Sequence, residues 1–418
     1  MAMNLAREAI PGRLAILLPC LALTACGGGG GGGGGGSTNP QSNAANQIPV
    51  VVDAGPPGAN AINALYASAT ICAPGTSNCQ TIDHLLVDTG ASGVRILASA
   101  MQQGVLAALP QATNGSAQPV AECMQFVSGY TWGSVRAADI KLGGETAAGA
   151  MIQVIPDPNA PSDPDVPTNA PVDCSKNAGP TWNSVATLGA KGTIGISTFA
   201  QDCGSSCTSQ AANGFYYACS GGVCSGTIMP LNKQVWNPVA LFPADDNGTL
   251  IVLPSLSSGS ANRVNGTLTF GIGTQSNNGL GNAAVLTVDA NSEFTSTIDL
   301  AIYPGSFVDS GSNGLFYGNG IFPNCTVFQG FYCPPAPQAQ NGVLQGMNLT
   351  SKALSFTVSD PEVLLGSNPG VTADAELAGP GSGGADWGLP IFFGHSIYNA
   401  IEGKAVANQV NGPWVGIK

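Results

Sequence analysis

The chain has 418 residues, a length that allows two domains of ordinary size, each with its own core. Only 9% of the residues are charged, which together with abundant Gly, Ser, Thr, Asn and Pro is typical of a turn-rich β protein rather than a helical or disordered one. The net charge of −12 argues against a nucleic-acid partner, because no basic stripe is present that could displace phosphate counterions.

The N-terminal segment, residues 1–25, has the form of a signal peptide and is excluded from the fold prediction. Two arginines precede an apolar region that runs from Leu14 to Ala25. Its end, Leu-Thr-Ala followed by Cys26, resembles the lipobox of bacterial lipoproteins. The resemblance implies cleavage before Cys26 and lipidation of that residue. The alternative is an ordinary secretory signal that contains a cysteine.

A low-complexity segment, residues 26–48, follows the signal and contains ten consecutive glycines, Gly27 to Gly36. Such a segment cannot bury apolar surface, so we expect it to act as a flexible tether. No other run of the sequence is long and apolar enough to span a bilayer. The sequence therefore predicts an exported cell-envelope protein, lipid-anchored on the periplasmic or surface face.

Ten cysteines remain when Cys20 and Cys26 are set aside, and an even number in an exported chain predicts up to five disulfides. Cys72–Cys79 and Cys325–Cys333 are close enough in sequence to close local loops, whereas the remaining pairings are not deducible. A zinc site is the alternative for one group, although an oxidising compartment favours disulfides. That group is Cys203, Cys207, Cys219 and Cys224.

The predicted elements between residues 49 and 246 are mainly strands. We expect a strand at 50–52, a hairpin of 64–72 with 81–87 that leads into Asp88, and helical character over 95–104. A long hairpin is expected at 126–144, a surface loop at 156–180, a strand at 192–196 and a cysteine-rich insertion with its own hairpin at 203–224. From residue 247 onward, strands are expected at 249–253, 266–271, 284–288, 295–302 and 354–358.

A short sequence pattern occurs twice, once around Asp88 and once around Asp309. From the composition, about a third of one Asp-(Ser/Thr)-Gly triplet is expected by chance, and two are present with the same flanking residues. A carboxylate at the end of a buried strand is costly unless something stabilises it, so the repeat predicts a pair of aspartates that meet in space. The first copy contains Val87, Asp88, Thr89, Gly90, Gly93 and Val94, which match Val308, Asp309, Ser310, Gly311, Gly314 and Leu315.

This repeat resembles the two-lobed, pepsin-like aspartic peptidases, in which each lobe contributes one Asp from a hydrophobic-hydrophobic-Asp-(Thr/Ser)-Gly turn. The resemblance covers roughly residues 49–418. It implies an all-β fold with an N-terminal lobe at 49–246, a C-terminal lobe at 247–418 and an active-site cleft between them. The insertions and the tether are similar to a bacterial lipoprotein group that shares these motifs and has no assigned role.

Further segments carry the same resemblance. Gly192–Ile196 and the stretch from Trp387 to Gly394 are similar to the apolar-apolar-Gly strand of each lobe, although Thr193 departs from the pattern. The C-terminal Val415-Gly416 is similar to the closing strand of the pepsin fold.

The hairpin around residue 130 resembles the flap of these peptidases, which closes over the substrate. Tyr130 corresponds to the flap tyrosine at the hairpin tip, Trp132 follows it, and Gly133-Ser134 correspond to the next pair. The alternative is a solvent-exposed hairpin with an incidental aromatic residue.

The resemblance also implies roles for the residues beside the two aspartates. Thr89 and Ser310 lock the two turns together, and Gly90 and Gly311 allow the backbone to approach the carboxylates. Ser312 supplies a hydroxyl that favours the charged form of its aspartate. The first turn has Ala91 at this position, so we expect a raised pKa of the pair and a pH optimum milder than strongly acidic.

Two neighbouring carboxyls share one proton over a wide pH range, so one acts as a base towards a bridging water and the other as an acid. Activation of a water by such a pair predicts an endopeptidase that needs no metal, no cofactor and no covalent intermediate. We expect it to work as a monomer on a peptide or protein substrate.

The chain has only two histidines, His84 and His395, and no Gly-x-Ser-x-Gly, which argues against a Ser-His-Asp hydrolase. The open alternative is a catalytically silent, protease-like envelope lipoprotein with a binding or structural role, because a fold does not by itself establish an activity.

Overall fold

The computed structural model describes residues 44–156, 163–176, 179–211, 214–368 and 370–418. The predicted signal peptide, the lipidation residue Cys26 and most of the tether lie outside these ranges. The first strand begins at Gln47, so regular structure starts slightly before the predicted boundary at residue 49. Over the ranges that the structure covers, no helix has the length and apolar character needed to cross a bilayer.

The protein is mostly β, as predicted, and its strands form barrel-like sheets. The strands of the first part of the chain are β1 Gln47–Val52, β2 Leu65–Cys72, β3 Cys79–Asp88, β4 Ser92–Leu97, β5 Val120–Phe126, β6 Gly129–Leu142, β7 Glu145–Ile155, β8 Gly192–Ile196, β9 Tyr216–Ser220 and β10 Val223–Gly226.

The second part of the chain contains fourteen described strands, several of them only two residues long. They are β11 Gly248–Val252, β12 Ser260–Ala261, β13 Val264–Phe270, β14 Ala284–Thr287, β15 Phe294–Ile298, β16 Ala301–Val308, β17 Leu315–Phe316, β18 Gln338–Gln345, β19 Ser351–Val358, β20 Ala373–Asp374, β21 Ala378–Gly379, β22 Asp386–Trp387, β23 Ser396–Ala400 and β24 Trp414–Ile417.

The described helices are short and lie in the connections between strands. The α-helices are α1 Gln103–Leu106, α2 Val172–Ser175, α3 Val185–Leu188, α4 Ser206–Ser209 and α5 Pro361–Ser367, and the 3₁₀ helices are Ala98–Ala100, Leu231–Lys233, Pro238–Leu241 and Leu389–Phe392.

Strands from both parts of the chain join one sheet of fifteen strands, in the order β10-β9-β5-β6-β7-β4-β8-β3-β2-β1-β13-β11-β23-β24-β14. The crossing point is β1, which pairs antiparallel with β2 on one side and with β13 on the other. A second sheet of seven strands, β19-β18-β15-β16-β22-β17-β21, contains only strands of the second part, and β12 pairs with β20 separately. The two parts of the chain are therefore joined by main-chain hydrogen bonds.

The same strand arrangement occurs around both aspartates. In the first part, β3 is parallel to β8, β8 is antiparallel to β4, and β4 is parallel to β7. In the second part, β16 is parallel to β22, β22 is antiparallel to β17, and β17 is parallel to β21. The registers also correspond, since Ile194 faces Val87 and Val94 as Trp387 faces Val308 and Leu315.

Three of the local expectations that fail concern Arg95, residues 295–302 and β18. Arg95 was expected to be helical, but β4 continues to Leu97 because it pairs with both β7 and β8. The single strand expected over 295–302 is two strands, which a tight turn at Asp299-Leu300 joins. Strand β18 was not predicted, although its burial alternates residue by residue as a one-sided strand requires.

Five disulfides confirm the prediction from the cysteine count and place the folded chain in an oxidising, extracytoplasmic compartment. The two local bridges have the expected partners, and the first of them closes the β2–β3 hairpin. The zinc alternative is wrong, because all four cysteines of that group are oxidised. The bridges are Cys72–Cys79, Cys123–Cys174, Cys203–Cys207, Cys219–Cys224 and Cys325–Cys333.

Candidate functional site: two facing aspartate turns

Asp88 and Asp309 face each other where two strands end. Asp88 is the last residue of β3, and Asp309 directly follows β16. The two carboxyl groups are hydrogen-bonded to each other, and Asp88 is only 6% exposed while Asp309 is half-buried. Gly90, beside them, is exposed, so the pair lies at a surface that solvent can reach.

The residues that follow the aspartates hold the two turns together crosswise. The main-chain N–H of Thr89 donates to the Ser310 hydroxyl over 3.1 Å, and the N–H of Ser310 donates to the Thr89 hydroxyl over 2.9 Å. The Ser310 hydroxyl donates to the Val87 carbonyl at 2.7 Å, and the Thr89 hydroxyl donates to the Val308 carbonyl at 3.4 Å. All four bonds cross between turns that lie more than 200 residues apart in sequence, so the two turns form one unit.

Main-chain N–H groups point at both carboxyls. Asp88 Oδ1 accepts from Gly90 at 2.8 Å and from Ala91 at 3.0 Å. Asp309 Oδ1 accepts from Gly311 at 2.7 Å and from Gly90 at 3.2 Å, so the Gly90 N–H is shared between the two aspartates. Donors of this kind stabilise the negative charge that a single ionised carboxyl would carry.

Gly90 and Gly311 are required because each turn approaches the carboxyl of the opposite turn closely. A Cβ on Gly90 would lie 2.6 Å from Cγ of Asp309, and a Cβ on Gly311 would lie 2.9 Å from Cγ of Asp88. A side chain at either position would therefore push the opposite carboxyl away. This explains physically why both turns carry glycine after the hydroxyl residue.

The pKa values of both carboxyls are raised. Burial is the main cause for Asp88, and the neighbouring charge of Asp309 raises its pKa further. Burial also raises the pKa of Asp309, but Gly311 and the Ser312 hydroxyl oppose the rise. The pair therefore holds one proton in common over a range where separate aspartates would both be ionised.

The hydroxyl of Ser312 donates to Asp309 Oδ2 at 3.1 Å and lies 2.6 Å from Oδ2 of Asp386, the first residue of β22. A hydroxyl has one hydrogen, so it can donate to only one of these carboxyls at a time. Ala91 occupies the matching position of the first turn and contributes only its main-chain N–H. Asp386 is not predictable from the sequence, because no local motif marks it.

The hairpin expected to act as a flap has its tip at residues 127–128, because Phe126 pairs with Gly129. Tyr130 pairs with Gln125, so it lies on a strand below the tip, where the sequence analysis had placed it at the tip itself. Its N–H donates to the Pro180 carbonyl, and its own carbonyl accepts from Trp182. Trp182 also stacks on Phe126, so the segment around residue 181 covers this end of the hairpin.

The three other residues predicted for the flap lie inside the fold. Trp132 is 3% exposed, donates its indole N–H to Pro167 and packs edge-on against Tyr217. Gly133 allows β6 to approach β7, because a Cβ there would lie 2.0 Å from the Val154 carbonyl oxygen. The buried hydroxyl of Ser134 accepts from Arg136.

A buried group of charged residues that the sequence patterns do not predict lies beside the first turn. Arg95 of β4 contacts Glu122 of β5 at 2.5 Å and Asp202 at 3.8 Å, and all three side chains are inaccessible to solvent. The available signal was a lone arginine inside the apolar run Gly-Val-Arg-Ile-Leu of a chain with only 12 Lys and Arg residues. Burial of such a residue requires paired acids far away in sequence.

The two histidines have other partners. His84 lies between Asp53 and Asp83, and Nδ1 of His395 contacts the Ile391 carbonyl at 2.9 Å. Within the described ranges, one group of side chains has metal-ligand proximity, namely Cys325, Cys333 and Asp360. Its two cysteines form a disulfide, so their sulfurs are not free thiolates for a metal.

Comparison with known proteins places the chain in a family without assigning an activity. A search of the curated proteins gives no match. A family described as "Protein of unknown function (DUF3443)" matches residues 42–416, which is almost the whole of the folded chain and includes both aspartate turns. The protein belongs to this DUF3443 family.

Proposed function

We propose that this protein is an aspartic endopeptidase of the pepsin-like, two-lobed kind, in which Asp88 and Asp309 activate a water molecule. The observation that carries the proposal is the meeting of two Asp-(Thr/Ser)-Gly turns from distant parts of the chain, with their carboxyls hydrogen-bonded to each other. The matching strand arrangement around each turn supports a fold built from two related halves.

The chemistry follows from a pair of carboxyls that share one proton. The ionised carboxyl takes a proton from a water held between the two, and this water attacks the carbonyl carbon of the peptide. The protonated carboxyl donates a hydrogen bond to the carbonyl oxygen as negative charge develops on it. The crosswise bonds of Thr89 and Ser310 keep the two carboxyls at a fixed separation during these steps.

The same proposal includes the location of the enzyme. The five disulfides support an extracytoplasmic site of action. The sequence ahead of the fold supports a lipid anchor at Cys26, which would hold the enzyme at the cell envelope.

The test uses the full-length protein, assayed on casein from acid to neutral pH. We expect cleavage by the wild type and a loss of at least about 1,000-fold in Asp88→Asn and in Asp309→Asn, because either change removes the shared proton arrangement. Asp165→Asn is the matched control, since it makes the same chemical change at an exposed aspartate. Equal activity in all four proteins would end the proposal.

One observation favours the alternative of a silent, protease-like envelope protein. The hairpin that would close over a substrate is held by the Cys123–Cys174 disulfide, by the pairing of β5 with β9 and by the segment at 180–182. A restrained hairpin suits a binding or structural role, because catalysis commonly requires such an element to open. Absence of cleavage by a folded wild type over the whole pH range would favour this alternative.

A further inference from the structure

Arg95 is a fully buried cation in β4, the strand that follows the Asp88 turn. Its side chain is 0% exposed, and Nη1 donates to the carbonyl oxygens of Ser92 at 2.8 Å and Gly93 at 3.4 Å. These carbonyls belong to the chain that leaves the first aspartate turn. The guanidinium therefore fixes the backbone immediately beyond the Asp88 turn.

The opposite side of the guanidinium faces two buried acids. Nη2 of Arg95 lies 2.5 Å from Glu122 Oε1 and 3.8 Å from Asp202 Oδ2. Glu122 and Asp202 are hydrogen-bonded to each other, and the Tyr216 hydroxyl donates to Asp202 over 2.7 Å. These contacts join β4, β5, β9 and the segment after β8 in one network.

Burial raises the pKa of Asp202 strongly, and the neighbouring charge of Glu122 raises it further. Burial by itself lowers the pKa of Arg95, but Glu122 and Asp202 raise it above its ordinary value, so the guanidinium stays charged.

We propose that Arg95 is a positioning residue of the aspartate pair: it holds in place the chain that leaves the Asp88 turn, whose main-chain N–H groups donate to Asp88. This proposal rests on the proposed peptidase function only for the catalytic role of the aspartate pair. The ionisable groups around Arg95 are Asp88, Glu122, Asp202 and Tyr216, and on the far side of the pair Asp386 faces Asp309 through Ser312.

Burial and the charge of Asp309 raise the pKa of Asp88, and the charge of Arg95 opposes this rise, which is the direction expected of a cation.

The experiment measures titration of the pair directly, so that it does not depend on cleavage. Aspartate ¹³Cγ signals are followed by NMR in the full-length protein, and those of the pair are identified by their loss in Asp88→Asn and Asp309→Asn. The test variant is Arg95→Met with Glu122→Gln, which removes one charge of each sign and avoids leaving an unpaired acid in the core. Glu122→Gln by itself is the control that alters the network but keeps the cation.

We expect the first apparent pKa of the pair to rise by about one unit in the double variant, to stay within about 0.3 units in the control and to be largely preserved in Arg95→Lys. An unchanged titration in the double variant would overturn the proposal, and so would an equal shift in the control. If the wild type cleaves casein, the acid limb of kcat/KM should move with the NMR value. If it cleaves nothing while the titration shifts, the proposed function fails and the role of Arg95 stands.

Discussion

The two aspartate turns share a framework and differ in the residues that surround the carboxyls. Val87 and Val94 flank Ile194 in the first turn as Val308 and Leu315 flank Trp387 in the second. The repeat that aligns the aspartates also aligns Arg95 with Phe316, which pairs with Gly379 and packs against Phe331. One turn therefore has a buried cation beside it, and the other has an aromatic pair.

The same contrast holds for the hydroxyls. The second turn has Ser312 and, behind it, Asp386, whereas the first has Ala91 and no side-chain donor at that position. The strand framework places both carboxyls, and burial is the main cause that raises the pKa of each. Ser312 opposes this rise for Asp309 only, so two halves with one backbone arrangement present two chemically different carboxyls.

The largest effect is expected when the close approach of the two turns is broken. Gly90→Ala would place a Cβ 2.6 Å from Cγ of Asp309, and Gly311→Ala would place one 2.9 Å from Cγ of Asp88. We expect a loss of about 100-fold or more in kcat/KM of the proposed peptidase activity for Gly90→Ala and a smaller loss for Gly311→Ala, because displaced carboxyls lose their alignment. Gly104→Ala is the control, since its Cβ would meet open space. A larger loss in Gly311→Ala than in Gly90→Ala would contradict the expected order.

The segment around Asp374, which contacts Asn63 beside the second turn, makes the stability of the fold depend on pH. Asn63 donates to the carbonyl of Asn313, which belongs to this turn, and to the carbonyl of Asp374. The Asp374 side chain is 1% exposed, and burial raises its pKa from 3.8 to about 6. The folded protein therefore binds this proton more tightly than the unfolded chain does. Its contribution to stability is full below pH 3.8 and is lost as the pH rises through 6.

The shift corresponds to about 2 kcal/mol of unfolding free energy lost between pH 4 and pH 7. In Asp374→Asn this loss should disappear, so that the difference in stability between the two pH values becomes smaller than in the wild type. Urea unfolding at pH 4 and pH 7 measures it, with Asp165→Asn as the control for an exposed aspartate. The same pH dependence in wild type and Asp374→Asn would show that the carboxyl titrates normally.

The smallest effect is expected from exchanging the residues that distinguish the turns. Ser312→Ala removes a donor to Asp309 and should raise the acid limb of the pH–rate profile by up to about one unit, because the charged form loses stabilisation. Ala91→Ser adds a donor beside Asp88 and should lower the limb by a similar or smaller amount. The comparison of the two turns would be undermined if both variants moved the limb in the same direction.

Much of the fold could be predicted from local signals. The strands at 249–253, 266–271 and 284–288 lie close to β11, β13 and β14, since alternating apolar residues bounded by turn residues specify a strand. The two local disulfides followed from short spacing. Local reasoning failed at Arg95, whose neighbours in β7 and β8 are distant in sequence and override its local preference.

The sequence by itself determined which residues could form the site, because an Asp-(Thr/Ser)-Gly turn after an apolar strand is a local pattern and its repetition is visible without coordinates. Only the tertiary structure decided that the two turns interlock through Thr89 and Ser310, that Asp386 lies behind Ser312, and that Arg95 is buried against Glu122 and Asp202. The physical reason is that hydrogen bonds and ion pairs between segments depend on distances in space, which the packing of the sheets sets and no local pattern encodes.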